Sequence, residues 1–443
     1  MADDVIRIAA KHTAAGRFDE AAATLSAGLR HDHRAHAVRY ELGLVEAQRG
    51  DLAAAEKAVR AAIAAGGNVY ARGLGHILAK AGKLDEAELW LNRAVQSNAN
   101  DAWALANLGA LYGDQRKHDQ AIASLQRALL IQPDFPWARA AFDRLSGERN
   151  FLQSVRSAYR EFAGRNGLDP DLEAAGDAIV EFPSAPLDSN GKPRFVMRIP
   201  ASMILRDLGA AHLFYQEVAG RGYEFALRRF LELHVESDDV FIDVGAHWGV
   251  HALTCATRWP HAVTVLAIEA HPANCARLRE WVQGNGLETD IEVISKAIGE
   301  REGSAHMRVN ASSMGHSLGP EGIEVEMTTL DALLADRDWM RWRRVILKVD
   351  VEGYEMEALA GATRLFSTCD VAAVIWEMSE LREASEQWDR QHAVLAFLTA
   401  RGFEHFQFED ETQGGALVPL NGEKRAWNVY SLSPRFPRRE RYA

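Results

Sequence analysis

Apolar and small residues recur along the first third of the chain at a fixed offset. Leu108, Gly109, Tyr112, Ala121, Leu125 and Ala128 match Leu74, Gly75, Leu78, Ala87, Leu91 and Ala94, which lie 34 residues earlier. Fainter copies carry Leu42, Gly43, Gly50, Ala55 and Ala62, then Gly16, Ala21, Leu25 and Gly28. A period of this length holds two short helices and a turn, and small residues at matched positions let paired helices cross closely. Four such units, starting near residues 2, 36, 68 and 102, cover about the first 135 residues, with Trp90 and Trp103 read as core positions. From Pro136 to about 165 the pattern predicts one or two further helices that close the exposed end of the stack.

Between about 165 and 205 the pattern breaks into Gly, Pro, Asp and Ser, and Asn190-Gly191 between short strand-like stretches signals a β-hairpin. This stretch reads as a linker or a lid. Residues 222–234 return to helical spacing, and apolar runs at 240–244, 263–268, 291–294, 344–349 and 371–376 then alternate with amphipathic helical patterns. Alternation of this kind predicts a mostly parallel sheet with helices on both faces, a Rossmann-like α/β domain. Residues 404–408 and 427–432 add late strands as an antiparallel pair at one edge. The expected organisation is an all-α repeat array with capping helices over 1–165, a linker over 166–221 and the α/β domain over 222–443.

Composition narrows the class. The 443 residues are 47% hydrophobic and 25% charged, enough for two or three domains with their own cores. A formal charge of −12, with the excess acid beyond residue 150, argues against a general nucleic-acid surface, which needs clustered Lys and Arg. Cys255, Cys275 and Cys369 are odd in number and form no C-x-x-C pair, so neither a disulfide framework nor a zinc ribbon is expected. The N-terminus is acidic without an apolar signal core, and no apolar run approaches the ~18 residues that span a bilayer. A cytoplasmic protein without a membrane span is the expectation.

The stretch Val-Phe-Ile-Asp243-Val-Gly245-Ala246-His247-Trp-Gly249 runs an apolar strand into a glycine-bounded turn behind a carboxylate. Such a turn lets backbone N–H groups approach a ligand, and the following helix presents its N-terminus. Wound α/β sheets bind ligands outside the carboxyl ends of their strands, where strand order reverses. Asp243, Glu269, Ser295 and Asp350 all fall at or just past such ends. The turn is G-x-x-x-G rather than G-x-G-x-x-G, which disfavours NAD. Glu269 ends the next strand, where a carboxylate suits a ribose diol by accepting two hydroxyl hydrogen bonds.

The repeats resemble the tetratricopeptide (TPR) family. Five further motifs occur in order: Asp243-Val-Gly-Ala-His-Trp-Gly249, Ala267-Ile-Glu269-Ala-His-Pro272, Lys296-Ala-Ile-Gly299, Thr328-Thr-Leu-Asp331 and Lys348-Val-Asp350-Val-Glu352-Gly-Tyr-Glu355. Together, over about 222–432, they resemble the FkbM family of S-adenosylmethionine-dependent methyltransferases. The resemblance implies a class I methyltransferase fold and transfer of a methyl to a hydroxyl of a sugar or natural product. It implies that Asp243, Gly245, Ala246, His247 and Gly249 line the methionine and ribose of the cofactor. Glu269 would hold the ribose hydroxyls, Ala270 would begin the adenine wall, and Ser295 and Lys296 would lie beside the adenine edge. Asp350 would sit next to the transferable methyl. His247-Trp248 departs from the smaller or amide residues of many relatives.

An activated methyl mainly needs the acceptor oxygen aligned about 3 Å from its carbon, with a base to take the hydroxyl proton. Asp350, Glu352 and His316 are the candidates, although Glu352 suits capping of the following helix equally well. His251 and His271 read as local hydrogen-bonding residues. Glu352, Glu355 and Glu377 lack dedicated metal-ligand spacing, so no metal is expected. Partners expected are a small-molecule or glycan acceptor and, through the array, a docked protein or a second copy. Loops 183–205 and 310–323 would choose the acceptor. The rival readings are a scaffold carrying an inactive methyltransferase-like domain and an NAD-linked oxidoreductase.

Overall fold

A computed structural model describes residues 2–31, 35–185, 194–309, 313, 315–319, 321–338, 342–378, 386–412, 414–420 and 428–437. Eight helices form four successive packed pairs. They are α1 (Ala2–Ala14) with α2 (Phe18–His31), α3 (His36–Arg49) with α4 (Leu52–Gly66), α5 (Ala71–Lys80) with α6 (Leu84–Ser97), and α7 (Ala102–Asp114) with α8 (His118–Ile131). The small positions of the 34-residue pattern explain the pairing. A Cβ on Gly43, Gly75 or Gly109 would fall 2.4–2.6 Å from Val59, Leu91 or Leu125 of the partner helix. Asp51 and Asp101 cap α4 and α7 by accepting from Ala54 N and Ala104 N. Trp103 departs from the expectation: it lies 51% exposed beside Phe135 rather than in the core.

A single helix, α9 (Pro136–Asn166), stands where one or two were expected. Contacts divide the chain into two compact units, 1–153 and 154–443, with the division inside this helix. The second unit begins with β1 (Ile179–Pro183) and β2 (Val196–Pro200), which pair antiparallel. The Asn190-Gly191 turn lies outside the described residues. Helices α10 (Ala201–Arg206), α11 (Leu208–Val218) and α12 (Phe225–His234) follow.

The sheet that positions the site starts with β3 (Val240–Val244), α13 (Val250–Arg258), β4 (Thr264–Ile268), α14 (Pro272–Gly284) and β5 (Ile291–Ile294). A second sheet interrupts it, made of β6 (Ala297–Ile298), β7 (Gly303–Arg308), β8 (Ser317–Gly319) and β9 (Ile323–Thr328) in the order β6-β9-β7-β8. The main sheet resumes after α15 (Leu330–Leu333) with β10 (Val345–Val349), α16 (Glu355–Ala360), α17 (Thr363–Thr368) and β11 (Val371–Glu377). It ends with α18 (Glu386–Thr399), β12 (Glu404–Asp410), β13 (Gly414–Pro419) and β14 (Asn428–Leu432). Its order is β13-β12-β14-β11-β10-β3-β4-β5, parallel from β11 to β5 and antiparallel from β14 outward. This is the Rossmann-like sheet with an antiparallel edge that the resemblance implies. Every residue of β3 and β10 is buried, as central parallel strands covered on both faces must be. Strand order reverses between these two, so their carboxyl ends open the crevice. No described helix is long and apolar enough to cross a membrane.

Candidate active site

The crevice holds a cavity of about 210 Å³. Its floor is the turn after β3. Gly245, His247 and Gly249 all take positive φ, at 79°, 51° and 84°. Gly245 and Ala246 donate their N–H groups to the Ile268 carbonyl at 2.9 and 3.0 Å, so the turn is tied to the end of β4. Gly245 is required by close approach, because a Cβ there would stand 1.8 Å from the Asp350 carbonyl oxygen. Gly249 lines the cavity, yet the place of its missing side chain is taken by Leu278, 2.1 Å from a Cβ built there.

Glu269 is buried at the end of β4 and lines the cavity. Its two oxygens accept from His247 N at 2.8 Å and His271 N at 2.7 Å, so the carboxylate also props the turn. Burial pushes its pKa up to about 7, against those two N–H donors.

Asp243 is fully buried and is not among the residues lining the cavity, contrary to the expected contact with a ligand. It lies beneath the site, 3.4 Å from Lys348 Nζ, and neither of its oxygens accepts a hydrogen bond. Lys348, which sequence reasoning passed over as part of a motif, is the hub. Its Nζ also lies 3.1 Å from Asp350 and 3.5 Å from the Gly245 carbonyl oxygen. Burial disfavours its charge, but Asp350, Asp243 and Glu224 outweigh that and hold its pKa above the ordinary lysine value. Its only signal in the sequence is a lysine within an otherwise apolar central strand.

His247 lines the cavity, its ring stacked on Trp248 at 4.6 Å, with Nε2 unpartnered and the pKa driven down to about 3 by burial. Ala270, Ile298, Met307 and Leu318 form an apolar wall, and Lys296 lines the same side while paired with Glu326 at 2.5 Å. Ser295 is exposed and does not line the cavity; the strand alternation that brings Ile294 inward turns it out. His316 lines the cavity and packs on His271 at 4.3 Å. Its loop is held through Ser313, which donates N–H and Oγ–H to Asp207 at 2.6 and 3.1 Å.

At the opposite end Asp350, Glu352 and Glu377 bring oxygens within 4.8 Å of one another. Burial and the neighbouring carboxylates raise Glu352, and raise Glu377 to about 8, so Glu377 carries a proton at neutral pH. Glu352 faces the cavity from a left-handed backbone (φ 54°) rather than capping the helix after β10. Glu355, the first residue of α16, ties down the loop before the helix, its Oε1 accepting from Val351 N and Gly353 N. One further liner went unnoticed in the sequence, Glu224; it is paired at 2.5 Å with His251, which was read as a local hydrogen-bonding residue and also lines the cavity.

Residues 243–405 match the methyltransferase FkbM domain. The matched stretch lies within the second unit. Tetratricopeptide repeat families match residues 12–69, 73–101 and 102–135, ahead of the stretch that matches the FkbM domain. Among curated proteins, the hexuronic acid methyltransferase AglP of Haloferax volcanii is 30% identical over 159 residues. That alignment takes in 35% of this chain and 62% of AglP, so the chain spans under two thirds of this relative. Among solved structures, a crystal structure of MamA is 22% identical, covering 32% of this chain and 85% of that one, with a TM-score of 0.29. MamA from residue 41 onward, of Desulfovibrio magneticus RS-1, is 20% identical over 34% and 85%, with a TM-score of 0.30.

Proposed function

We propose that the protein is an S-adenosylmethionine-dependent methyltransferase that methylates a hydroxyl oxygen of a sugar or natural-product acceptor, and that its repeat array docks a protein partner or a second copy. The observation that carries this reading is Glu269. Its carboxylate lines the cavity at the end of β4 while both oxygens are pinned by backbone N–H groups, which leaves lone pairs fixed for a vicinal diol. The unpartnered His247 Nε2 and the apolar wall of Ala270, Ile298, Met307 and Leu318 suit the amino-acid and adenine ends of such a donor. The relation to a hexuronic acid methyltransferase supports a sugar acceptor.

The bound donor supplies a methyl already activated by its sulfonium charge. What this chain's residues then do is hold and align. Gly245 to His247 and Glu269 would hold the methionine and ribose of the donor, and Lys296 would border its adenine. Asp350, Glu352 and His316 border the space left for the acceptor, and the carboxylates Glu224, Asp350 and Glu352 favour a cation between them. Calorimetry with S-adenosylhomocysteine tests the reading: saturable binding is expected, weakened at least about tenfold by Glu269→Ala through loss of charge-assisted hydrogen bonds. Absence of binding to the intact chain would favour the inactive-scaffold reading instead.

A further inference from the structure

Resting on the methyltransferase reading, we propose that Glu224 is the base that accepts the acceptor's hydroxyl proton, and that His251 positions it. Glu224 stands at the residue before α12, in a left-handed backbone with φ 47°, and faces the cavity from a side that none of the sheet's strand ends supplies. Its Oε2 meets His251 Nε2 at 2.5 Å. His251 is the buried partner, with a side chain 7% exposed against 28% for Glu224. The imidazole therefore lies behind the carboxylate. Oε1 carries no hydrogen bond among the described residues and is left for an acceptor.

The other carboxylates of the cavity are committed. Asp350 is held to the Lys348 ammonium at 3.1 Å, which engages its carboxylate in an ion pair. Both oxygens of Glu269 are engaged by backbone donors. Glu352 accepts from the Gly315 backbone N–H, and burial with Asp350 close by raises Glu377 to about 8, so Glu377 already holds a proton at neutral pH. Glu224 moves the other way. Burial works against its charge, but His251, Lys348 and His247 hold its pKa below the usual value. The titratable groups that act on it from its surroundings are His251 on α13, Lys348 on β10, His247 in the turn after β3, Glu377 on β11 and the adjacent Tyr223.

The step balances without another reactant. The acceptor oxygen forms its bond to the methyl carbon as the methyl–sulfur bond breaks, and the breaking pair stays on sulfur. The hydroxyl proton passes to Glu224 Oε1 and leaves to solvent after product release. Charge on the cofactor's sulfur is lost as the carboxylate is neutralised. His251 touches neither reactant and acts through Glu224.

The test uses the full chain, methyl-labelled S-adenosylmethionine and a heat-treated extract of the producing cells as acceptor pool, with S-adenosylhomocysteine affinity measured alongside. Glu224→Gln is expected to lower the transfer rate about 100-fold or more and to abolish the acid limb of its pH profile, with S-adenosylhomocysteine affinity changed less than about threefold. Glu224→Asp keeps the charge, so the acid limb persists at a reduced rate. His251→Gln shifts the limb to higher pH, because the carboxylate loses the partner that lowers its pKa; a purely structural role would leave the limb in place. Retained transfer in Glu224→Gln, loss of the limb in Asp350→Asn instead, or a tenfold loss of S-adenosylhomocysteine affinity on changing Glu224 would overturn the proposal. No S-adenosylhomocysteine binding by the native chain would count against the methyltransferase reading itself.

Discussion

The repeat array and the α/β unit both depend on glycine and on charge, in opposite ways. In the array, Gly75 and Gly109 sit inside helices, and what crowds the missing Cβ is first the branched end of Leu91 or Leu125. In the α/β unit, Gly245 faces a carbonyl oxygen of the neighbouring strand's turn. The array keeps its ion pairs at the surface, as in Arg60 with Glu86, each 39% exposed. The α/β unit buries Lys348 between Asp243 and Asp350. A side chain can give way and a surface pair contributes little. A backbone contact and a buried charge cannot be relieved locally. Tolerance to change is therefore expected to differ sharply between the two units.

Gly245→Ala is the severest break. It combines a left-handed backbone with an overlap against the Asp350 carbonyl, so β3 and β10 must separate at the crevice. A loss of stability above about 4 kcal/mol is expected in chemical denaturation, with S-adenosylhomocysteine binding abolished. A loss under about 1 kcal/mol would show that the contact is soft. Next comes Lys348→Met, which leaves Asp243 buried without its cation and is expected to cost about 3–5 kcal/mol. Adding Asp243→Asn should recover part of that loss, and a double variant no better than the single one would deny the pairing its role.

The same contrast explains what the sequence disclosed. Periodicity located all five parallel strands of the main sheet within a residue at each end, because fully buried strands are continuous apolar runs. It found the late strands β12 and β14 but not β13 between them, nor the second sheet over 297–328. Those strands have few fully buried positions, so turns and pairing rather than apolar runs define them. Glu269, Asp350, Glu352 and His316 came together in the cavity because strand ends and motifs marked them. Glu224 and His251 could not be found that way. They are 27 residues apart, one just before α12 and the other in α13, and the packing of α12 against α13 joins them. Asp243 and Ser295 do not line the cavity, since a strand-end position does not tell which face a side chain takes.

Buried acid gives a smaller effect that depends on pH. Glu355 is raised from the ordinary 4.5 to about 7, chiefly by burial, against the backbone N–H groups it accepts. A carboxyl with a folded pKa above its unfolded value contributes stability that is complete below pH 4.5 and is lost as pH rises through about 7. At about 1.4 kcal/mol per unit, this one group accounts for roughly 3 kcal/mol across that window. Glu355→Gln should flatten the dependence of unfolding free energy on pH by about that amount, while the N–H groups keep an oxygen to bind. An unchanged slope would mean that the ionised form is better solvated than its burial implies. The array, among whose described residues no acid is fully buried, should contribute less to the slope.

Gly109→Ala probes the tolerant side of the contrast and should have the smallest effect. The added methyl would meet Leu125 Cγ at 2.5 Å and Cδ2 at 3.0 Å, with the Ala121 carbonyl oxygen at 3.2 Å. Gly109 lies in mid-helix, where alanine is the better helix former by about 1 kcal/mol and needs no unusual backbone. Overpacking of this kind costs about 1–3 kcal/mol, so the two terms partly offset and a net loss of about 0–2 kcal/mol is expected. Gly109→Ala with Leu125→Val should recover part of it by drawing back the crowding atoms. If Gly109→Ala instead matched Gly245→Ala in severity, the helices of that pair would be as rigidly locked as the crevice, and side-chain against backbone crowding would not be what separates the two units.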